Sequence, residues 1–405
     1  MRVYQVNTFC GTKSTGRITT AIASLVIEEG GESRIAYGVP PVARQWKEIA
    51  YQVGRPLERK IHGAIRKFLD GEGYGSKFAT MKLIEDIEKF NPDIIHLHNI
   101  HGCYIHLKTL MRYLKRKQLP IVWTLHDCWT FTGHCAYFDM SCCEKWKNGC
   151  HHCPSQRSYP VNRGIDGSKR NYREKKKLFS DLENVTLVTP SEWLEKLIKQ
   201  SYMKKHKTKV IVNGVDVNVF KGNIERVNYA KYSLSESKKL VLAIASDWDE
   251  RKGLDYIIKA FEALRQTHNF VVIGLSQSQV ENLPKGMVGI QCTENVDELA
   301  CWYSSADCLA NPTLEDNMPM VNLESMACGT PVVVFDTGGC SEVVISNCGK
   351  VVKKRDTGAF IQAIEEVSGN KEKYRKFCLE QGLKYSEENT FKSYLDLYHT
   401  SINFN

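Results

Sequence analysis

Short runs of β-branched and apolar residues alternate along the chain with stretches whose apolar positions recur every three or four residues. In the first half RVYQV (2–6), RIAYG (34–38), DIIHLH (93–98), PIVWTLH (120–126) and VTLVTP (185–190) read as strands. Helical patterns near residues 16–29, 79–90, 104–117 and 191–200 separate them. In the second half KLVLAIAS (239–246), NFVVIGL (269–275), MVGIQC (287–292), DCLANP (307–312) and PVVVFD (331–336) alternate with helices near 253–266, 296–305, 320–328 and 356–368. Strand, helix, strand at this spacing predicts parallel sheets with right-handed crossovers. The expected fold class is therefore α/β, with two doubly wound Rossmann-like domains in tandem. VIVNGVDVNVF (210–220), with its Asn-Gly turn, is the natural hinge. Ligands of such sheets bind beyond the carboxyl ends of the strands, so two domains facing each other would enclose a cleft.

Length agrees with two domains, since 405 residues exceed what one hydrophobic core usually serves. The apolar and charged fractions, 42% and 25%, are those of an ordinary globular protein. No run of 18 apolar residues predicts a membrane-spanning helix. MRVYQVNTF reads as a first strand rather than a signal peptide. A cytoplasmic location is the resulting expectation, and thiols there stay reduced.

Charge changes the picture only when divided. Residues 1–209 hold 35 Lys and Arg against 20 Asp and Glu, whereas residues 210–405 hold 20 against 26. The excess concentrates in RPLERKIHGAIRKFL (55–69), LKTLMRYLKRKQL (107–119) and KRNYREKKKLF (169–179). Such segments suit nucleic acid, an anionic membrane surface or simply solvated helix faces. The first places Leu57, Ile61, Ile65 and Phe68 on one helical face. That pattern fits a helix lying on a membrane and equally a helix packed on its own domain.

The densest chemistry is NPTLEDNMPMVNLESMACGTPVVVFDTGG (311–339). A strand ends at Asn311-Pro312, Glu315, Asp316 and Asn317 occupy a loop, Pro319 marks a helix start and Gly329 its end. Backbone N–H groups near Met318 to Val321 would then favour an anion such as a diphosphate. Glu324, one turn in, could accept hydrogen bonds from a ribose. Taken alone, the loop acid reads at least as well as a helix cap. In SDWDERKGLDYII (246–258), Arg251 and Lys252 follow a strand and precede a helix opened by Gly253. Two cations there would hold a diphosphate and offset the charge it gains on leaving.

RKG followed by NPTLEDNMPMVNLESMACGTPVV, with GTKSTGRI (11–18), PDIIHLHN, TLHDCW, TPSEWL, VIVNGVD and FKSYLDLY, resembles the retaining glycosyltransferases of family 4, of GT-B fold. The branch it is most similar to builds bacterial surface polysaccharides of the colanic-acid type. The resemblance implies an acceptor-side domain over 1–209, a nucleotide-sugar domain over 210–385, and a final helix over 386–405 crossing back to the first. By position it gives Arg251 and Lys252 the donor diphosphate, Glu324 the ribose, and Met318, Pro319 and Met320 the helix start beside them. Asp316 takes the first of two acids eight residues apart, where the family usually has Glu. Ser246 stands where many relatives carry arginine. In the first domain Gly16 and Arg17 are expected at the turn from strand to helix, beside the donor phosphate. His126 would meet the transferred sugar, and His98, Asn99 and His101 would line the acceptor side. The implied reaction is same-face transfer of a hexose from a UDP- or GDP-linked donor to a saccharide or lipid-linked saccharide, with no metal cofactor required for catalysis.

GHCAYFDMSCCEKWKNGCHHCP (133–154) remains. Cys135, Cys143, Cys150 and Cys153 have spacings that favour a structural zinc over a disulfide, with a reduced, metal-free loop as the alternative. Two rival functions stay open. One is a nucleotide-sugar epimerase of the same fold. The other is a zinc-containing nucleic-acid binder, which the scattered basic residues and acidic second half disfavour, so no nucleic-acid partner is expected. Peripheral contact with an anionic membrane, at its inner face, is the expectation attached to the basic helices.

Overall fold

In the computed structural model, residues 1–222 and 227–403 are described; residues 223–226 and 404–405, which belong to the expected 210–385 and 386–405 segments, lie outside the described residues. The chain forms two compact units, Met1–Val212 with Phe391–Asn405, and Asn213–Thr390.

The first unit is built on seven parallel strands, β1 (Arg2–Asn7), β2 (Glu32–Tyr37), β3 (Ala50–Gln52), β4 (Ile94–Leu97), β5 (Ile121–Thr124), β6 (Val185–Thr189) and β7 (Lys207–Val210), in the order β3-β2-β1-β4-β5-β6-β7. The second has six, β8 (Lys239–Ile244), β9 (His268–Ile273), β10 (Val288–Ile290), β11 (Cys308–Asn311), β12 (Val332–Phe335) and β13 (Gly349–Val352), in the order β10-β9-β8-β11-β12-β13. Both are doubly wound: the winding reverses between β1 and β4, and between β8 and β11. The loops leaving those strands are where such sheets gather ligands.

Burial explains why the central strands read as largely apolar runs. Helices cover both faces, so β4, β5, β9, β11 and β12 are buried at every position. One face of the first sheet packs a core around Tyr4, Trp123, Trp129 and Phe179. The other packs Val3, Ile22, Ile94 and Val188 against Phe391, Tyr394, Leu395 and Tyr398 of the last helix, Glu387–Asn403. In the second unit the helix Leu254–Leu264 buries Ile257, Ala260, Phe261 and Leu264, an i, i+3, i+4, i+7 set. Among the described residues, no helix is long and apolar enough to cross a membrane.

Candidate active site

In the second unit the loops after β8 and β11 meet. Arg251 and Lys252 lie in the short turn Glu250–Lys252, capped by the Asp249 carboxylate. The chain then turns through Gly253 at φ +74° into the helix Leu254–Leu264. A Cβ at Gly253 would come within 2.4 Å of the Pro312 carbonyl, so glycine is what lets the two loops touch. The Leu314 N–H donates to the Arg251 carbonyl (2.7 Å), and the Arg251 guanidinium donates to the Glu315 carbonyl (2.7 Å).

These contacts deliver the cations to one acid. Lys252 Nζ lies 2.5 Å and Arg251 Nη1 3.8 Å from Asp316 Oδ2, and the Lys252 and Asp316 side chains are 16% and 13% exposed. Burial alone would raise the Asp316 pKa, but Lys252, Arg251 and the Asn317 N–H together hold it below the usual carboxylate range. Behind it, a Cβ on Gly338 (φ +55°) would stand 1.8 Å from the Asp316 carbonyl.

The helix Met320–Ala327 starts after Pro319, which occupies the cap position rather than the first helical one. Its approach is pinned from two sides: Asn213 Nδ2 donates to the Met318 carbonyl (3.1 Å), and Asn311 Nδ2 to Asn322 Oδ1 (2.9 Å). Met318 is buried and Met320 half-buried. Glu324, expected to meet a ribose, is 2% exposed, and its Oε2 accepts from the Tyr303 hydroxyl at 2.8 Å. Ser246 is exposed at the end of β8.

In the first unit the histidines form a ladder along β4 and β5. His96 Nδ1 pairs with the Tyr398 hydroxyl (2.5 Å) and Nε2 with Thr124 Oγ1 (2.8 Å). The His98 ring lies 3.9 Å from that of His96, and its Nδ1 is 3.1 Å from His126 Nε2. Its Nε2 is 3.2 Å from Gln5 Oε1, and Gln5 Nε2 donates to the Thr19 carbonyl (2.9 Å). The Thr19 bond fixes which end of the Gln5 amide faces His98. An amide oxygen there only accepts, so His98 carries its proton on Nε2. Burial keeps His98 neutral and pushes the His126 pKa down to about 4, against an opposing pull from Asp127. A neutral His98 then accepts from His126 Nε2–H, which leaves the lone pair of neutral His126 on Nδ1.

Beside the ladder, His101 Nε2 pairs with Asp127 Oδ2 and His101 Nδ1 with the Tyr159 hydroxyl, both at 3.0 Å. Asn99 is half-buried, and its carbonyl accepts from Thr8 Oγ1 and the Tyr104 hydroxyl. Glu72 accepts from the Gly102 and Cys103 N–H groups (3.0 and 2.9 Å), which shapes the loop after β4. Gln5 and Glu72 escaped the sequence reading. Gln5 looked like an ordinary strand residue, whereas an acid inside the glycine-rich DGEGYG (70–75) was a usable signal.

The expected position of Gly16 and Arg17 needs correction. Gly16 and Arg17 are not in the turn: the helix spans Lys13–Glu28, so both lie in its first turns. The tight turn is at Gly11 (φ +67°), whose N–H donates to the Gly16 carbonyl (3.0 Å). Gly16 lacks a side chain because its Cβ would press on Phe9 at 3.0 Å, a packing demand of the kind a phosphate-binding glycine also produces. Arg17 is half-buried on the same helix.

The four cysteines were expected to hold a structural zinc; among the described residues no group of three or more His, Cys, Asp or Glu side chains is arranged to hold a metal ion, so the fold lends the set Cys135, Cys143, Cys150 and Cys153 no support. Cys135 donates an S–H hydrogen bond to Cys153, which lowers the Cys153 pKa against the effect of burial. Cys150 Sγ instead accepts from the Gly133 N–H (3.1 Å). Side-chain bonds organise the loop: Asp166 accepts from the Cys153 and Ser168 N–H groups, His134 Nδ1 pairs with Asp70 at 2.6 Å, and Trp146 stacks on Phe138.

Doubly wound parallel sheets with polar and charged side chains at their switch-point loops define an α/β protein of the GT-B class. Residues 42–219 match the family model described as Glycosyltransferase Family 4, and residues 238–370 that of Glycosyl transferases group 1. Each half of the chain is thus similar to glycosyltransferases, and the two matches together take in most of it. It is 24% identical over 280 residues to the putative colanic acid biosynthesis glycosyl transferase WcaC of Escherichia coli K12, a stretch that covers 67% of this chain and 66%, just under two thirds, of that protein. Its fold matches sucrose-phosphate synthase from Thermosynechococcus elongatus (TM-score 0.73, 16% identity, all of both chains). It also matches an Anabaena protein, HepE, solved with UDP-glucose (TM-score 0.68, 13% identity, 99% of this chain and 100% of that one).

Proposed function

We propose that this protein moves a hexose from a UDP- or GDP-linked sugar to a hydroxyl of a saccharide or lipid-linked saccharide, with retention at the anomeric carbon, in the building of a surface polysaccharide. The observation that carries the reading is the cluster of Arg251 and Lys252 on Asp316, at the carboxyl edge of the switch strands and directly before a helix start. The E. coli relative is named for colanic acid biosynthesis, which supports a polysaccharide product, and the Anabaena neighbour was solved with UDP-glucose, which supports a sugar nucleotide as donor.

In this reaction the bond from the anomeric carbon to the diphosphate oxygen breaks, and a bond to the acceptor oxygen forms on the same face. The acceptor's proton passes to the leaving diphosphate. Arg251 and Lys252 take up the negative charge that develops there, with the N–H groups at the start of the helix Met320–Ala327. These fixed charges remove the need for a divalent ion. Asp316 then turns to the hexose, and Glu324 serves the ribose through the carboxylate that Tyr303 steadies. The role expected of His126 is to meet the transferred sugar. The protein works at the inner face of the membrane by peripheral contact.

The test is incubation with a panel of UDP-, GDP- and ADP-sugars, with and without saccharide acceptors and chelator, followed by mass spectrometry of both products. Nucleotide release from one donor, accelerated by an acceptor and indifferent to chelator, supports the reading. Conversion of a donor into its epimer without release would make the protein an epimerase. Inversion in the isolated product would overturn the retaining course.

A further inference from the structure

The helix Pro56–Leu69 is inside out. An amphipathic helix on a globular domain normally turns its apolar stripe inward and its charges to water. Here the inward residues are polar. His62 is fully buried, bonding Ser76 Oγ (2.9 Å) and the Gly73 N–H (3.1 Å), and Arg59 donates to the Gly38 carbonyl (2.6 Å). The outward face carries Leu57, Ile61 and Phe68, which are 67%, 55% and 54% exposed. These positions are four and seven residues apart and fall on one stripe.

The loop after the cysteine-rich segment extends that stripe. The Arg163 N–H donates to the Lys67 carbonyl (2.8 Å) and the Ile165 N–H to the Phe68 carbonyl (2.9 Å). Ile165, 68% exposed, is thereby set beside Phe68. Gly164 permits the approach, because a Cβ there would lie 2.1 Å from the Phe68 carbonyl. Exposed Lys60, Lys67 and Arg163 border the patch. The helix's one acid, Glu58, is half-buried and bonded to the Arg55 N–H.

We infer that this face is a bilayer-docking surface, in which Leu57, Ile61, Phe68 and Ile165 enter the headgroup–acyl boundary while Lys60, Lys67 and Arg163 meet anionic phospholipid headgroups. The inference rests on the membrane-contact part of the proposed function and gives it a place in the fold. The charge selects the occupant: a rim of flexible lysines around an apolar stripe complements an anionic lipid surface, whereas protein interfaces are depleted of lysine. The helix runs directly into Asp70 and Glu72. Asp70 holds His134 and the Gly167 N–H, and Glu72 holds the loop that carries His101. A bilayer-seated helix therefore brings the first unit's histidine cluster close to a membrane-borne acceptor.

The test is co-sedimentation of the full chain with phosphatidylcholine vesicles, with and without phosphatidylglycerol, at low and high salt. The expected result is binding at least about tenfold stronger to the anionic vesicles and weakened by salt. The combined variant Leu57→Glu, Ile61→Glu, Phe68→Glu should lose it with an unchanged melting temperature, because these side chains are exposed in the fold. A Leu57→Trp variant should show blue-shifted fluorescence on anionic vesicles. No vesicle binding by the unaltered chain, or equal binding by the glutamate variant, overturns the inference. Neither readout involves sugar, so transfer to a water-soluble acceptor by a protein that ignores vesicles would sink the docking surface alone. Vesicle binding without any transfer would sink the enzymatic reading alone.

Discussion

Asp316→Asn tests the diphosphate reading in a direction opposite to a simple loss of function. In the protein without substrate, Asp316 occupies the cations that the donor is to claim. At an effective dielectric of about 20, its attraction to Lys252 at 2.5 Å is about 7 kcal/mol and to Arg251 at 3.8 Å about 4 kcal/mol, before desolvation takes back most of both. If donor binding gives up even about 1–2 kcal/mol of this, removing the charge tightens the dissociation constant for a free nucleoside diphosphate about 5–30-fold. Transfer should fall at the same time, because the hexose loses its carboxylate contact. The unliganded variant should be less stable by about 1–3 kcal/mol, as two cations are left without their anion. Because the Asp316 pKa is depressed in the fold, its contribution is present above the unfolded value near 4 and lost as pH falls through the folded one. The stability gap between wild type and variant should therefore narrow on acidification. Calorimetric titration with UDP, GDP and ADP against both proteins decides it. Unchanged or weaker affinity for all three would mean that the diphosphate does not meet Arg251 and Lys252.

Gln5→Met should leave a His98 N–H buried without a partner, costing about 1–3 kcal/mol, while the Thr19 carbonyl keeps only its bond within the helix Lys13–Glu28. Transfer should drop by more than nucleotide binding does, and nitrogen NMR should show a changed His126 tautomer; an unaltered tautomer would refute the fixed-amide argument. Burial depresses the pKa of His96, His98 and His126, so their contribution to stability is complete above the unfolded value near 6.5 and lost as pH falls toward the folded values. Melting temperatures should be level from pH 8 to about 7 and fall steadily below about 6.5, and a level curve down to pH 5 would contradict the buried ladder. Gly338→Ala puts a methyl 1.8 Å from the Asp316 carbonyl at a left-handed φ, and should cost about 2 kcal/mol or more together with most nucleotide affinity.

Sheet interiors were legible in the sequence because strands buried on both faces are mostly apolar: β12 is so throughout, and β4, β5, β9 and β11 depart from it only at His96, Thr124, His268, Asn269 and Asn311. The strands that escaped the pattern are β3, β7 and β13, each at a sheet edge. AYQ, KTKV and GKVV are half-open to water, so nothing forces an apolar run on them. Gly16 misled for a related reason. A glycine demanded by close packing inside a helix looks the same in one dimension as a glycine demanded by a turn. The acids and bases of the second unit were legible because they are local, within two short loops. The first unit's polar network was not, since Gln5, His98 and His126 become neighbours only when β1, β4 and β5 align. The outward stripe of Pro56–Leu69 was visible as a pattern, but which side faced water required the packing of His62 and Arg59.

The last helix has a consequence for how the chain is made. Phe391, Tyr394, Leu395 and Tyr398 complete one core of the first unit, and the Tyr398 hydroxyl holds His96 at the base of the histidine ladder. Those side chains leave the ribosome only after the whole second unit has been synthesised. Until then one face of the sheet of residues 2–210 lacks the part of its cover that the last helix gives, which leaves the core around Val3, Ile22, Ile94 and Val188 open on that side. The first part of the protein to be born is the last to be finished, so a message cut short, or a bulky tag pressed against the final turns, would spoil a region hundreds of residues upstream.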